Sequence, residues 1–192
     1  MRGTWLASVL TVGGCGGAAQ TVPQPTPGTV NAAVTDAPQP RAQPTPTAVA
    51  PAGYVRAAVA GVAPDPTGGH LLLLVDEGRQ RALPVGIGAA EAMVIDLRLR
   101  GERYERPLTH DLLDSILRAL GARVVMVQVN KLRSGIFVGS VFVWDGRTTH
   151  RLDSRTSDAV CVALGHDAPI FVADAVFEEA GMPVPAGTLP GL

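Results

Sequence analysis

Between Gly16 and Ala52 the chain carries half of its 16 prolines, only two charged residues (Asp36 and Arg41) and no aromatic residue. Such a stretch cannot bury enough apolar surface to offset the entropy lost on ordering it. Any core must therefore be built from the residues C-terminal to it. From Tyr54 onward the pattern changes to short aliphatic runs separated by turn residues, about 130 residues in all, an ordinary size for one domain. The division predicted is a disordered Pro-rich linker over 16–52, a folded domain over 53–183 and a flexible tail over 184–192. The repeated Pro-Thr and Pro-Gln steps favour extended polyproline II, which makes the linker a semi-rigid spacer.

Ahead of the linker, Met1-Arg2 supplies a positive charge, Trp5 to Val12 a short apolar stretch, and Val12-Gly13-Gly14-Cys15 small residues directly before a cysteine. Residues 1–15 resemble a bacterial lipoprotein signal with its lipobox. The apolar segment would engage the export machinery, and the Cys15 thiol would take the lipid. It is shorter than the roughly 20 apolar residues that a membrane-spanning helix needs. The expectation is an exported, membrane-anchored lipoprotein held through lipidated Cys15. The alternative is a chance Val-Gly-Gly-Cys behind a misplaced start, which would leave a cytoplasmic protein. With Cys15 lipidated, Cys161 has no disulfide partner and reads as a small packing residue.

Seventeen acidic residues against 16 basic ones give a net charge of −1, so no global field attracts phosphates. A site that handles nucleic acid would have to be arranged locally.

Val55 to Val62 and Leu71 to Val75 read as a hairpin around the Pro64–Gly69 turn cluster, succeeded by a third strand, Arg81 to Ile87, whose Pro84 belongs at an edge or bulge. Ala89 to Leu99 has helical spacing. Thr109 is a good N-cap for a second helix, with Asp111 near its positive end and Leu112, Leu113, Ile116, Leu117 and Leu120 on one apolar face. Val124 to Leu132, Ile136 to Trp144 and Thr148 to Leu152 read as three antiparallel strands, the last two joined at Asp145-Gly146. A short helix from Thr156 to Leu164, a buried run from Ile170 to Val172 and a final helix capped by Asp174 complete the pattern. Hairpins mixed with isolated helices predict an α+β fold: one domain, a mainly antiparallel sheet and three to four helices.

Several stretches of the folded part, in order, resemble the bifunctional nuclease family. They are Leu83-Pro84-Val85-Gly86-Ile87-Gly88 with Glu91-Ala92, then Arg106-Pro107-Leu108-Thr109-His110-Asp111-Leu112, then Leu120-Gly121-Ala122. Further along come Gly135-Ile136-Phe137, Asp153-Ser154-Arg155-Thr156-Ser157-Asp158-Ala159, Ala168-Pro169-Ile170-Phe171-Val172 and Glu179-Ala180-Gly181. Together they cover nearly all of Tyr54 to Pro183. The family is described as cutting DNA and RNA, and the resemblance implies both as substrates. One departure is Thr156, where the family pattern has Pro; the turn beside Asp153, Arg155 and Asp158 is expected to be looser for it.

Phosphodiester hydrolysis needs an activated water, a stabiliser for charge developing on phosphate oxygens, and usually a metal held by carboxylates. Within the resembling motifs the candidates are His110, Asp111, Asp153, Arg155 and Asp158. An imidazole exchanges protons near neutral pH, which suits His110 as general base. Arg155 can grip a phosphate bidentately. Asp111, Asp153 and Asp158, with Glu91 as a fourth, offer oxygen ligands to Mg²⁺ or Mn²⁺. Structural readings stand beside these. His110-Asp111 is an ordinary polar pair after an N-cap, Asp153, Arg155 and Asp158 could be a salt-bridge cluster fixing a turn, and Glu91 could offset a helix dipole. The run Arg98, Arg100, Arg103, Arg106 reads as a solvated loop, and His70, His150 and His166 as surface residues. Two functions are compatible with these residues: a metal-assisted nuclease, or a non-catalytic lipoprotein that keeps the fold and binds nucleic acid or protein. A homo-oligomer is compatible with the sequence and not required by it.

Overall fold

The computed structural model describes residues 49–78 and 80–184. The predicted signal at 1–15, most of the linker at 16–52 and the tail beyond Val184 lie outside them. The described part opens with an antiparallel hairpin, β1 (Tyr54–Pro64) and β2 (His70–Asp76), which continues antiparallel into β3 (Arg81–Ile87). Pro84 is tolerated in β3 near the edge of the sheet, because β8 (Met182–Pro183) pairs only with Arg81 and Ala82. Two helices come next, α1 (Ala89–Leu99) and α2 (Thr109–Ala119), then three antiparallel strands, β4 (Arg123–Arg133), β5 (Ile136–Trp144) and β6 (Thr149–Arg155). The chain passes without a loop from β6 into α3 (Thr156–Gly165), then through β7 (Ile170–Ala173) into α4 (Asp174–Ala180) and β8.

These eight strands form one sheet, in the order β6-β5-β4-β7-β1-β2-β3-β8. Every pairing is antiparallel except β4 with β7. That parallel pair joins the two three-stranded blocks, because β7 also pairs antiparallel with β1. The described residues therefore form an α+β fold with four helices and a mainly antiparallel sheet, as composition and turn spacing predict.

Helices α1 and α3 pack on the sheet and against each other, and α2 rests on α3. Their shared core contains Leu72, Leu74 and Leu83 from the first block, Val127 and Val129 from the second, and Ile95, Val160 and Cys161 from the helices, all essentially removed from water. Each such aliphatic side chain contributes on the order of 1.5–3 kcal/mol of transfer free energy. Burial pushes the Cys161 thiol up to about 12, which suits an inert packing residue.

Three local expectations are corrected. The helix expected to be capped by Thr109 starts with Thr109 as its first helical residue and Leu108 at the N-cap position. Ala173 likewise takes the N-cap of α4 ahead of Asp174. The apolar stripe of α2 does not face the core: Leu112, Leu113, Ile116 and Leu120 are exposed, while Asp114 is buried. Only Leu108 and Leu117 of this region pack on the core. Helical period reveals a stripe, not what covers it.

Candidate active site

Three helices begin at one place. The first-turn residues Ala90 and Glu91 of α1, Thr109 and His110 of α2, and Arg155 and Asp158 at the start of α3 line a single hollow of about 540 Å³. Met93, Val94, Leu108 and Leu113 supply its apolar wall. None of the three helices carries a side-chain cap at its N-cap residue (Gly88, Leu108, Arg155). First-turn N–H groups are orphaned by helical geometry, and the aligned peptide dipoles leave the same ends positive.

Within the hollow the ionisable groups form a chain. His110 Nε2 lies 3.1 Å from Asp158 Oδ1. Arg155 donates to the same carboxylate twice, Nε to Oδ2 at 2.6 Å and Nη2 to Oδ1 at 2.9 Å. Its Nη2 also meets Glu91 Oε1 at 2.8 Å. Partial burial works against an ionised Asp158, but the bonds from Arg155 and His110 outweigh it and hold the carboxyl below the ordinary aspartate value. Arg155 is pushed up, by its bonds to Asp158 first and the Glu91 charge after. An ionised carboxylate only accepts, so Nε2 of a neutral His110 carries the proton and Nδ1 is left as the basic nitrogen.

The strand-to-helix turn that presents Arg155 and Asp158 is held from beneath. Thr156 is buried, and its hydroxyl donates to the Phe137 carbonyl at 3.3 Å. Gly139 permits this approach, since a Cβ there would lie 3.0 Å from the Ser154 carbonyl and 3.3 Å from Thr156. At the position where the family pattern has Pro, the turn is held by burial and this hydrogen bond of Thr156.

Two expected members lie elsewhere. Asp111 comes directly after His110, and successive helical residues point about 100° apart. Its carboxylate accepts from the Leu108 N–H at 3.0 Å and from Arg98 Nη2 at 3.1 Å, on the side of a second hollow of about 490 Å³ that also borders Arg118 and Tyr104. Asp153 is exposed on β6, opposite Ser140 in register, and is not part of the first hollow's lining. Among the described residues no group of three or more His, Cys, Asp or Glu is arranged to hold a metal ion. Of the four carboxylates expected to hold Mg²⁺ or Mn²⁺, Glu91 and Asp158 line the first hollow, Asp111 borders the second and Asp153 lines neither. Only Glu91 and Asp158 share a site, and Arg155 already bridges them.

The second hollow borders a buried cluster that sequence reasoning missed. Arg98, expected in a solvated loop, lies on α1 and donates to Asp114 Oδ2 at 2.7 Å, to Asp111 and to the Cys161 carbonyl. The side chain of His166, expected at the surface, is only 8% exposed, with Nε2 3.3 Å from Asp114 Oδ1, an ion-pair contact too poorly aligned to be a full hydrogen bond. Burial raises the cost of charging Asp114, yet His166 and Arg98 together hold its carboxyl below the ordinary value. Gly165 belongs to the same cluster: a Cβ there would fall onto the Arg98 guanidinium and the Asp114 carboxylate. The signal available in the sequence was Asp114, a charge three residues from Leu117 and Asp111 on a helix otherwise read by its leucines.

An α+β domain whose helix starts converge on a histidine, an arginine and two carboxylates has the parts of a site for an anionic, proton-transferring reaction. Residues 71–185 match the bifunctional nuclease domain, and the chain belongs to that family. Two uncharacterized proteins of Mycobacterium tuberculosis, from strains CDC 1551 / Oshkosh and ATCC 25618 / H37Rv, are each 36% identical to it over 115 residues, 60% of this chain and 68% of theirs.

Proposed function

We propose that the domain is a nuclease that hydrolyses phosphodiester bonds of DNA and RNA in the hollow between the three helix starts. The observation that carries the reading is the convergence of the N-termini of α1, α2 and α3, none with a side-chain bond from its N-cap residue, on the His110–Asp158–Arg155–Glu91 chain. A phosphate placed there meets orphan N–H groups and the positive ends of three dipoles. Arg155, two-thirds exposed, uses Nε and Nη2 on protein carboxylates and keeps Nη1 for a phosphate oxygen. Asp158 holds the His110 Nε2–H, and Nδ1 takes the proton from an attacking water. Water oxygen bonds to phosphorus, the bond to the departing sugar oxygen breaks, and that oxygen takes its proton from solvent. The apolar wall of Met93, Val94, Leu108 and Leu113 faces the sugar or base. The export signal and Cys15 lipid would place this activity on a membrane surface at the cell envelope, acting on nucleic acid that reaches it.

A second reading has its own support. Two carboxylates face one guanidinium in the hollow, a local balance of −1 with His110 neutral, which opposes an incoming polyanion. A binding lipoprotein that keeps the fold without cleaving is the corresponding function. Incubating the full-length chain with single-stranded DNA and RNA, in Mg²⁺, in Mn²⁺ and in EDTA, decides between them. Cleavage with new chain ends in at least one condition is expected from the nuclease. Intact nucleic acid in all three supports the binding module, and the EDTA arm reports directly whether a divalent ion is needed.

A further inference from the structure

The second half of the sheet has two unlike faces. Val127, Val129, Val141 and Val143 of β4 and β5 point toward α3 and share its core. Successive strand residues alternate between faces, so Met126, Ser140, Phe142, Trp144 and Arg151 lie on the opposite side. The register sets Arg151 against Phe142, and brings Lys131, Val138 and Arg155 into one row across β4, β5 and β6. These three strands carry five Lys or Arg and one acid, Asp153, in a chain whose net charge is −1. Lys131, Arg133 and Arg151 are exposed, and among the described residues neither Lys131 nor Arg133 has an acidic partner.

Arg151 is fixed by a network that runs across the sheet. Its Nε donates to Ser140 Oγ at 3.1 Å, which also accepts from Asn130 Nδ2 at 2.9 Å; Asn130 Oδ1 in turn accepts from the Tyr54 hydroxyl at 3.0 Å. Ser140 is buried. The Arg151 guanidinium lies 5.9 Å from the centroid of the Phe142 ring, within cation–π range. Immobilising a long exposed side chain costs rotamer entropy, and no carboxylate among the described residues rewards it here. The Nη1 and Nη2 groups of Arg151 are left with no protein acceptor among the described residues.

We infer that this face is a second binding surface, for single-stranded nucleic acid, centred on Arg151. Bases stack on the Arg151–Phe142 pair and on Trp144, and phosphates meet Lys131, Arg133 and the Nη groups of Arg151. Unpaired bases have free flat faces that stack on a guanidinium or an aromatic ring, whereas a duplex hides them. An acidic protein would use the cations and leave the rings without a partner. Phe142 and Trp144 are half-buried in the plane of the sheet, too recessed to sink into a bilayer as the apolar face of a membrane-bound element does. The surface deepens the nuclease reading and rests on it for one point, the route of the strand. Arg151 and Arg155 are four residues apart on β6, about 13 Å by strand rise, and β6 is the outermost strand of the sheet. A few nucleotides anchored at Arg151 therefore reach the hollow around the free edge.

The test is fluorescence anisotropy of a labelled oligothymidylate of about 20 residues, longer than the site of a single small domain. The parent is the full chain with Cys15→Ser, to exclude an acyl anchor, and His110→Ala, so that the oligonucleotide persists. Adding Arg151→Glu should weaken binding at least roughly tenfold and flatten the dependence of affinity on salt. The same charge change at exposed Arg103, beside the second hollow, should leave affinity nearly unchanged. With Trp5→Phe added, Trp144 is the remaining tryptophan, and bound oligonucleotide should quench its fluorescence. If Arg151→Glu unfolds, Lys131→Glu takes its place with the same expectation. No binding by the parent, equal losses with Arg151→Glu and Arg103→Glu, or binding without quenching overturns the inference. Sedimentation with phosphatidylglycerol vesicles that Arg151→Glu abolishes, without oligonucleotide binding, overturns it in favour of an anionic lipid surface. With His110 restored, a dinucleotide too short to span face and hollow should be cleaved equally with and without Arg151→Glu. A chain that binds and quenches but cleaves nothing loses the nuclease reading and keeps this surface.

Discussion

Arg155 and Arg98 each bridge two carboxylates beside a histidine, in two separate hollows of the same domain. Arg155 holds Glu91 and Asp158 with His110 adjoining; Arg98 holds Asp111 and Asp114 with His166 adjoining. The two sets have the same kinds of group and differ in depth at the arginine and one carboxylate: the Arg155 side chain is 67% exposed against 10% for Arg98, and Asp158 30% against 3% for Asp114. A buried set of charges loses most of its hydration, and removing one member leaves an uncompensated ion, so it acts on folding. An exposed set contributes little to stability but remains able to exchange partners with a ligand. Residue types alone do not tell a structural cluster from a chemical one, whereas depth does.

The largest expected effect falls on the exposed cluster. Asp158→Ala removes the group that orients His110 and holds Arg155, and should lower nuclease turnover by roughly 10²–10⁴-fold, the usual contribution of positioned acid-base groups. Thermal unfolding of the same variant should move by only about 1 kcal/mol, the scale of a lost first-turn carboxylate and an exposed ion pair. A large stability loss without a loss of turnover would reverse the assignment of the two clusters.

Next comes the buried cluster. Asp114→Ala should cost about 3–5 kcal/mol, because the largely covered Arg98 and His166 lose the carboxylate they share and Arg98 keeps only Asp111 and the Cys161 carbonyl, and calorimetry should show the melting temperature falling by on the order of 10 °C. The folded fraction should cleave at the parent rate. Acid titration sharpens the contrast. The folded carboxyl of Asp114 lies below the ordinary 3.8, so the unfolded state binds its proton first as pH falls. Its stabilisation is therefore complete well above 3.8 and is lost as pH drops through the lower folded value. Asp114→Ala should flatten that part of a stability-against-pH curve.

Arg155→Ala is expected to have the smallest thermal effect, under about 1 kcal/mol for so exposed a pair, while weakening binding of a short oligonucleotide measured by anisotropy. Equal affinity in parent and variant would remove Arg155 from phosphate recognition.

Most of the element order was legible, because turn residues such as Asp145-Gly146 and the period of each run report local geometry. The parallel contact of β4 with β7 was not, since strands so far apart in sequence carry no shared local signal. In the site, Glu91, His110, Arg155 and Asp158 were marked by their place in ordered motifs. The separation of His110 from Asp111 was hidden for a physical reason. A helix face is assigned from its apolar residues, and in α2 those residues point to solvent, so the inward side was read from the wrong stripe. Arg98 and His166 escaped notice because their partner Asp114 comes from another element.

Those two neighbours on α2, His110 and Asp111, offer the sharpest check on the central idea that the exposed cluster carries the chemistry and the buried one the fold. The measurement is the specific cleavage rate of His110→Ala beside Asp111→Ala, each referred to its folded fraction by circular dichroism. Expected are at least a roughly hundredfold loss for His110→Ala with melting nearly unchanged, and a parent-like rate for Asp111→Ala with a lowered melting temperature. Equal losses in both, or an unaffected His110→Ala, would contradict the central idea.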